Sequence, residues 1–310
     1  MTQRFIIESL IIVFTIVCTG YMLKKMWDQP SVSISRREQF HLMTSGIVAF
    51  FMDTIGVGSF ACNIALAKYF KTFKDNELPG MVNGAQIIPG ALGALFFLGL
   101  VQVDSLTLIV MIVATCLGGI LGASIISKLN TQAVRFVMFI AFPAIIVLIL
   151  SNQFHWLPIG GNKTALQGHE LIFGFIGLFI AGALTSAGVG LFAMIQAVLF
   201  CLGMSPLVAF PIMTTAGALQ QPLSTGIFVL KNKIPLKKTL LIGLYGVIGV
   251  LLAIPAITHL NASNLHFLLI LVLSYNTVMM GLSYRQHRRL QKQLPVSNES
   301  LPDTVVRSVE

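Results

Sequence analysis

The sequence predicts an all-α polytopic membrane protein. It is read as two inverted repeats, each a Gly-broken re-entrant or discontinuous helix plus three spans, with an extra N-terminal span. Three observations predict this. Hydrophobic residues make up 55% of the 310 positions and charged residues only 10%, against roughly a quarter charged in soluble domains. The apolar residues fall in runs of about 20 separated by short polar loops. Motifs in the first half recur, in the same order, in the second. A chain this poor in charge cannot cover a globular surface, and its mean hydropathy is +0.86. The runs are continuous rather than alternating, which argues against an outer-membrane barrel.

The runs, in order, are 5–23, 41–70, 79–101, 106–127, 133–150, 171–203, 206–230, 236–258 and 265–284. The first ends at Lys24-Lys25 without a small-x-small cleavage site, so it reads as an uncleaved anchor. Segment 27–39 reads as a polar loop. Runs 41–70 and 171–203 are too long for one crossing: as straight helices they would reach roughly 45–50 Å, against a hydrocarbon core of about 30 Å. Each carries a glycine-rich break at its middle. These are Asp53-Thr54-Ile55-Gly56-Val57-Gly58-Ser59 and Thr185-Ser186-Ala187-Gly188-Val189-Gly190. Either two half-helices meet there or one long helix tilts.

Two half-helices of roughly 15 residues reach only about 22 Å each, so each run suits a re-entrant hairpin or a broken helix. The chain also repeats internally. Thr54 to Gly58 resembles Ser186 to Gly190. Pro79 and Gly90-Ala91-Leu92 match Pro206 and Gly217-Ala218-Leu219. Gly118, Leu129-Asn130 and Phe136 match Gly249, Leu260-Asn261 and Phe267. Duplication of this kind marks secondary transporters. The organisation follows: 1–40, an anchor span and cytoplasmic loop; 41–150, repeat 1; 151–168, an extracytoplasmic linker; 169–284, repeat 2; 285–310, a cytoplasmic tail, expected to be disordered. The positive-inside rule selects hairpins over full crossings. With hairpins, every Lys and Arg except Arg4 and Lys163 falls on the cytoplasmic side. Seven full spans and two opposed hairpins result, with the hairpin tips meeting near the midplane.

The net charge of +9 would suggest nucleic acid in a soluble protein. Here the excess cations sit in short loops between spans, so the expected partner is a lipid bilayer and no nucleic acid. Cys18, Cys62, Cys116 and Cys201 lie in apolar segments and read as small buried hydrophobes. No metal-binding spacing, Walker lysine, GxSxG or HExxH occurs. Neither an enzyme nor a cofactor or metal site is expected.

Irregular backbone inside a membrane must be buried in protein or face water. Two opposed breaks therefore predict a polar cavity, and the half-helices that leave them point free N–H groups into it, suited to a small anion. The candidate binding residues are Asp53, Thr54, Gly56, Gly58, Ser59, Asn83, Gln86, Thr185, Ser186, Gly188, Gly190, Thr214 and Thr215. The alternative for the glycines is close helix packing, preferred for Gly118, Gly119 and Gly122. Asp53 is the single acidic residue expected at membrane depth. It carries a coupling proton or caps the second half-helix. Asn83 and Gln86 share a helical face.

At these motifs the sequence resembles the sulfite exporter TauE/SafE family, bacterial membrane permeases whose halves each open with a Gly-rich run. Ala-Phe-Phe-Met-Asp-Thr-Ile-Gly-Val-Gly-Ser-Phe at 49–60 follows the family pattern Gly-Phe-Ile-Asp-x-x-x-Gly-Gly-Gly-Gly, with Val57 and Ser59 interrupting the glycines. Asp53 falls on the family's acidic position, and Asn83 with Gln86 matches an Asn-x-x-Gln pair in the next span. The resemblance covers roughly 41–284. It implies a multi-pass permease of the bacterial inner membrane that moves small sulfur-containing anions, such as sulfite, thiosulfate or an organosulfonate, by alternating access. The other readings are a channel, a transporter of an unrelated solute, or an intramembrane enzyme.

Overall fold

The computed structural model describes residues 2–28, 33–55, 58–98, 103–154, 156, 160–255, 274–275, 277–279 and 281–285. Among them the chain is helical, with no strand longer than one isolated bridge. Ten helices follow: α1 (Thr2–Trp27), α2 (Arg36–Thr54), α3 (Ser59–Phe70), α4 (Leu78–Leu98), α5 (Ser105–Ile126), α6 (Thr131–Gln153), α7 (His169–Thr185), α8 (Leu191–Cys201), α9 (Pro206–Leu230) and α10 (Leu236–Ala253). Among the described residues, four stretches are long and apolar enough to cross a membrane: Arg4–Trp27, Ser105–Ile126, Thr131–Ser151 and Leu236–Ala253. This is an all-α protein of the membrane type. The last predicted span, 265–284, falls mostly outside the described residues, as do Gly56 and all of the predicted tail except Arg285.

Run 41–70 divides into α2 and α3, and run 171–203 into α7 and α8, at the two glycine motifs. Both pairs turn back on themselves. His41, near the start of α2, stacks on Phe70 at the end of α3, with ring centroids 4.3 Å apart. Ahead of α7, the Lys163 amide donates to the Gly203 carbonyl beyond α8 at 3.2 Å, and Ser205 N–H returns a bond to Lys163 O at 2.9 Å. Gly58 and Gly188 carry φ of +90° and +91°, the left-handed region that glycine enters without a Cβ clash. One boundary differs from expectation. α2 starts at Arg36, inside the predicted loop, because the Ser35 hydroxyl caps it by accepting from Glu38 N–H at 3.1 Å. This is the capping-box arrangement of Ser three residues ahead of Glu.

Helix pairing repeats under exchange of α2 with α7, α3 with α8, α4 with α9 and α5 with α10. α10 lies along α2 as α5 lies along α7, and α4 crosses α9 at the centre. The lengthwise pairs are close because glycines line them. A Cβ at Gly118 would sit 1.9 Å from the Phe179 carbonyl, and one at Gly249, its counterpart, 2.3 Å from the Ile47 carbonyl. α1 rests against α9, where the Cys18 thiol donates to the Pro222 carbonyl at 3.3 Å. Its outer face, with Ile16 and Val17 about two-thirds exposed, is apolar, as a lipid-facing surface requires.

Buried ion pairs join one end of the bundle. Asp75, in the α3–α4 loop, is 1% exposed and takes Lys68 Nζ at 2.6 Å and Arg135 Nε at 2.5 Å. Both cations reach Ser283 as well, Lys68 to the hydroxyl at 3.3 Å and Arg135 to the carbonyl at 3.4 Å. Nearby, Lys238 pairs with Glu38 and donates to Thr72 O.

Candidate functional site

The first hairpin tip is closed by a ring of polar bonds. Asp53 ends the last turn of α2. Its Oδ1 accepts from the Ser59 N–H at 2.7 Å, capping α3 across the break, and its Oδ2 accepts from Gln86 Nε2 at 2.8 Å. The Ser59 hydroxyl donates back to Gln86 Oε1. The tip is thereby fixed to the middle of α4, with Ser59 and Gln86 buried.

A pocket opens beside this ring. It encloses about 450 Å³ of atom-free space, part of it open to solvent. Asp53 and Thr54 come from the tip, Gln86, Gly90 and Ala94 from α4, Thr214, Gly217 and Gln221 from α9, and Phe192 from α8. The small residues of α4 and α9 leave the space. Gln86, Gln221 and Thr214 supply neutral polar groups, and Asp53 is the one ionisable side chain in the lining.

The second tip is built differently. Thr185 stands where Asp53 stands in the first hairpin, but its hydroxyl donates backwards to Ala181 O at 2.8 Å. The N-cap of α8 is Gly190, which has no side chain to cap the helix. The Thr185 carbonyl accepts from Asn83 Nδ2 at 3.3 Å. Asn83 lies one turn before Gln86, about 4.5 Å along the axis, so both tips attach to adjacent turns of α4. Ser186 donates to Gly119 O at 2.9 Å and meets Ser224, which accepts from Gln220 at 2.6 Å. A Cβ on Gly188 would meet Met138 Cε at 2.6 Å, so that glycine packs against α6.

The expected residues thus separate into two groups. Asp53, Thr54, Gln86 and Thr214 line the pocket, with Ser59 held in the ring behind it. Gly58 and Gly190 have open space where a Cβ would stand. Asn83, Thr185, Ser186 and Gly188 fasten the second tip instead, and Thr215 is buried outside the pocket lining. Gln221 was not among the candidate binding residues. It is 3% exposed, lines the pocket, and its Oε1 has no hydrogen-bond partner. The Lys68–Asp75–Arg135 cluster was missed altogether, since its members are far apart in sequence.

No protein-family profile, no curated protein and no solved structure matches this chain.

Proposed function

We propose that the chain is a secondary transporter of small anions, sulfur-containing ones by its resemblance to the TauE/SafE permeases, working by alternating access in the bacterial inner membrane. The observation that carries this is the pair of hairpin tips held on adjacent turns of α4, with a polar pocket between the first tip and α9. Broken helices meeting at a small polar cavity are the architecture of secondary transporters. In this reading both hairpins are re-entrant and enter from opposite sides. The exchange symmetry of the helix pairing supports two similarly built halves. The cluster of Lys68, Arg135 and Lys238 at one end supports a cytoplasmic assignment for that end.

Alternating access then consists of rocking the hairpins against the α4–α9 crossing, so that the pocket faces each side in turn. Asp53 is the group through which a proton couples to the movement. The uncapped start of α8 offers free N–H groups to an acidic group of the solute. Counterflow in proteoliposomes tests the reading: preloaded sulfite, thiosulfate or an organosulfonate should accelerate uptake of the labelled compound, saturably. A panel without any exchange overturns it. Cysteine labelling tests the topology: Lys71→Cys should react only from the cytoplasm, and Asp104→Cys and Lys163→Cys only from the other side.

A further inference from the structure

The pocket is supplied with acceptors and carries no cation. Asp53 brings a carboxylate whose two oxygens each take one hydrogen bond, out of about four lone-pair sites. Gln221, almost fully buried, presents an Oε1 without a donor. No Lys, Arg or His stands in the described lining. A bare anion beside an ionised Asp53 would be repelled, and no cationic side chain in the wall would offset the repulsion. Burying an acceptor such as Gln221 Oε1 without a partner is costly, and a solute with N–H donors removes that cost. The opposite chemistry is found at the α8 end. Gly190 leaves the first N–H groups of an 11-residue helix uncapped, and Phe192, within the first turn, lines the same pocket.

We infer that the solute is a small zwitterion, an ω-amino acid or aminosulfonate, whose ammonium group sits between Asp53 and Gln221 and whose acid group lies at the α8 N-terminus. This rests on the transport reading and narrows it. The positive charge that balances Asp53 in the loaded pocket arrives on the solute nitrogen. Net charge in the loaded pocket is that of the acid group alone, which the helix start accommodates.

The test compares matched compounds on the purified full chain, by thermal shift and by competition in the counterflow assay. The compounds are 2-aminoethanesulfonate, ethanesulfonate and ethylammonium. The zwitterion should bind at least tenfold more tightly than either half. Asp53→Asn, which keeps an oxygen for Ser59 N–H and turns an amide N–H toward Gln86, should make aminoethanesulfonate and ethanesulfonate equal. Gln221→Leu should narrow the preference without touching the tip. Ethanesulfonate binding as tightly as the zwitterion, or binding that strengthens as pH falls while the amine adds nothing, overturns the inference and leaves the anion transporter standing. No binding or exchange of any sulfonate or amino acid overturns both.

Discussion

Position 53 and position 185 occupy the same place in the two hairpins, one carrying Asp and the other Thr. The carboxylate reaches across its break and caps the returning helix, while the shorter hydroxyl folds back onto its own. The first tip is consequently closed, carries a carboxyl group and is tied to Gln86. The second leaves the start of α8 bare and spends its polar groups on Gly119, Ser224 and Asn83. Two hairpins packed in the same way can therefore carry unlike ends, and the pocket beside them acquires two chemically distinct poles.

The frame itself should respond alike in both halves, and with the largest effect. Gly118→Leu and Gly249→Leu each force a side chain into a neighbouring carbonyl, and each should cost about 3 kcal/mol or more. Loss of monodisperse protein in detergent is the readout. A large penalty in only one half would break the equivalence of the two helix pairs. The tips should differ. Asp53→Ala removes a cap and strands the partners Ser59 and Gln86, at about 2 kcal/mol. Thr185→Ala removes a back-bond and should cost under about 1 kcal/mol. Equal melting temperatures for the two variants would erase the contrast. Adding the missing cap sharpens it: Gly190→Asp should raise stability by a few tenths of a kcal/mol while suppressing counterflow, because the carboxylate occupies the α8 start. Flux at the parental rate would show that the solute never visits that helix end.

The smallest effect lies outside the hairpins, in the loop before α5. Asp104 accepts from Thr107 N–H at 2.9 Å and from its hydroxyl at 2.8 Å, and these bonds hold its carboxyl below the usual carboxylate range. A folded-state value below the unfolded one adds stability above the unfolded pKa of about 4, and that stability disappears as pH falls through the lower folded value. Thr107 also receives the Leu166 amide from the linker between the halves, at 3.0 Å. Melting temperature should thus decline slightly more between pH 5 and pH 3 in the parent than in Asp104→Asn. Parallel profiles would leave the cap without a role.

Much of the frame was legible because glycine, serine and threonine interrupt runs too long for one crossing, and no apolar helix would place them there without reason. Asn83 and Gln86 were correctly put on one face, although only Gln86 reaches the pocket. Other features depend on orientation that composition does not carry. Gln220 and Gln221 are neighbours in sequence, yet about 100° separates them around the helix. One bonds to Ser224 beside Gly119, and the other lines the pocket. The start of α2 was misplaced because the charged residues from Arg36 to Glu38 look like loop until the Ser35 cap is seen. Asp75 was invisible as a buried charge because two whole helices, α4 and α5, separate it from Arg135.

That last cluster bears on how the protein is assembled. Lys68, Asp75 and Arg135 emerge early during synthesis, whereas Ser283, which satisfies both cations, is among the final described residues to appear. Both cations are already paired with Asp75 within the first half, so Ser283 adds hydrogen bonds that fasten a segment made late to α3 and α6, which are made early.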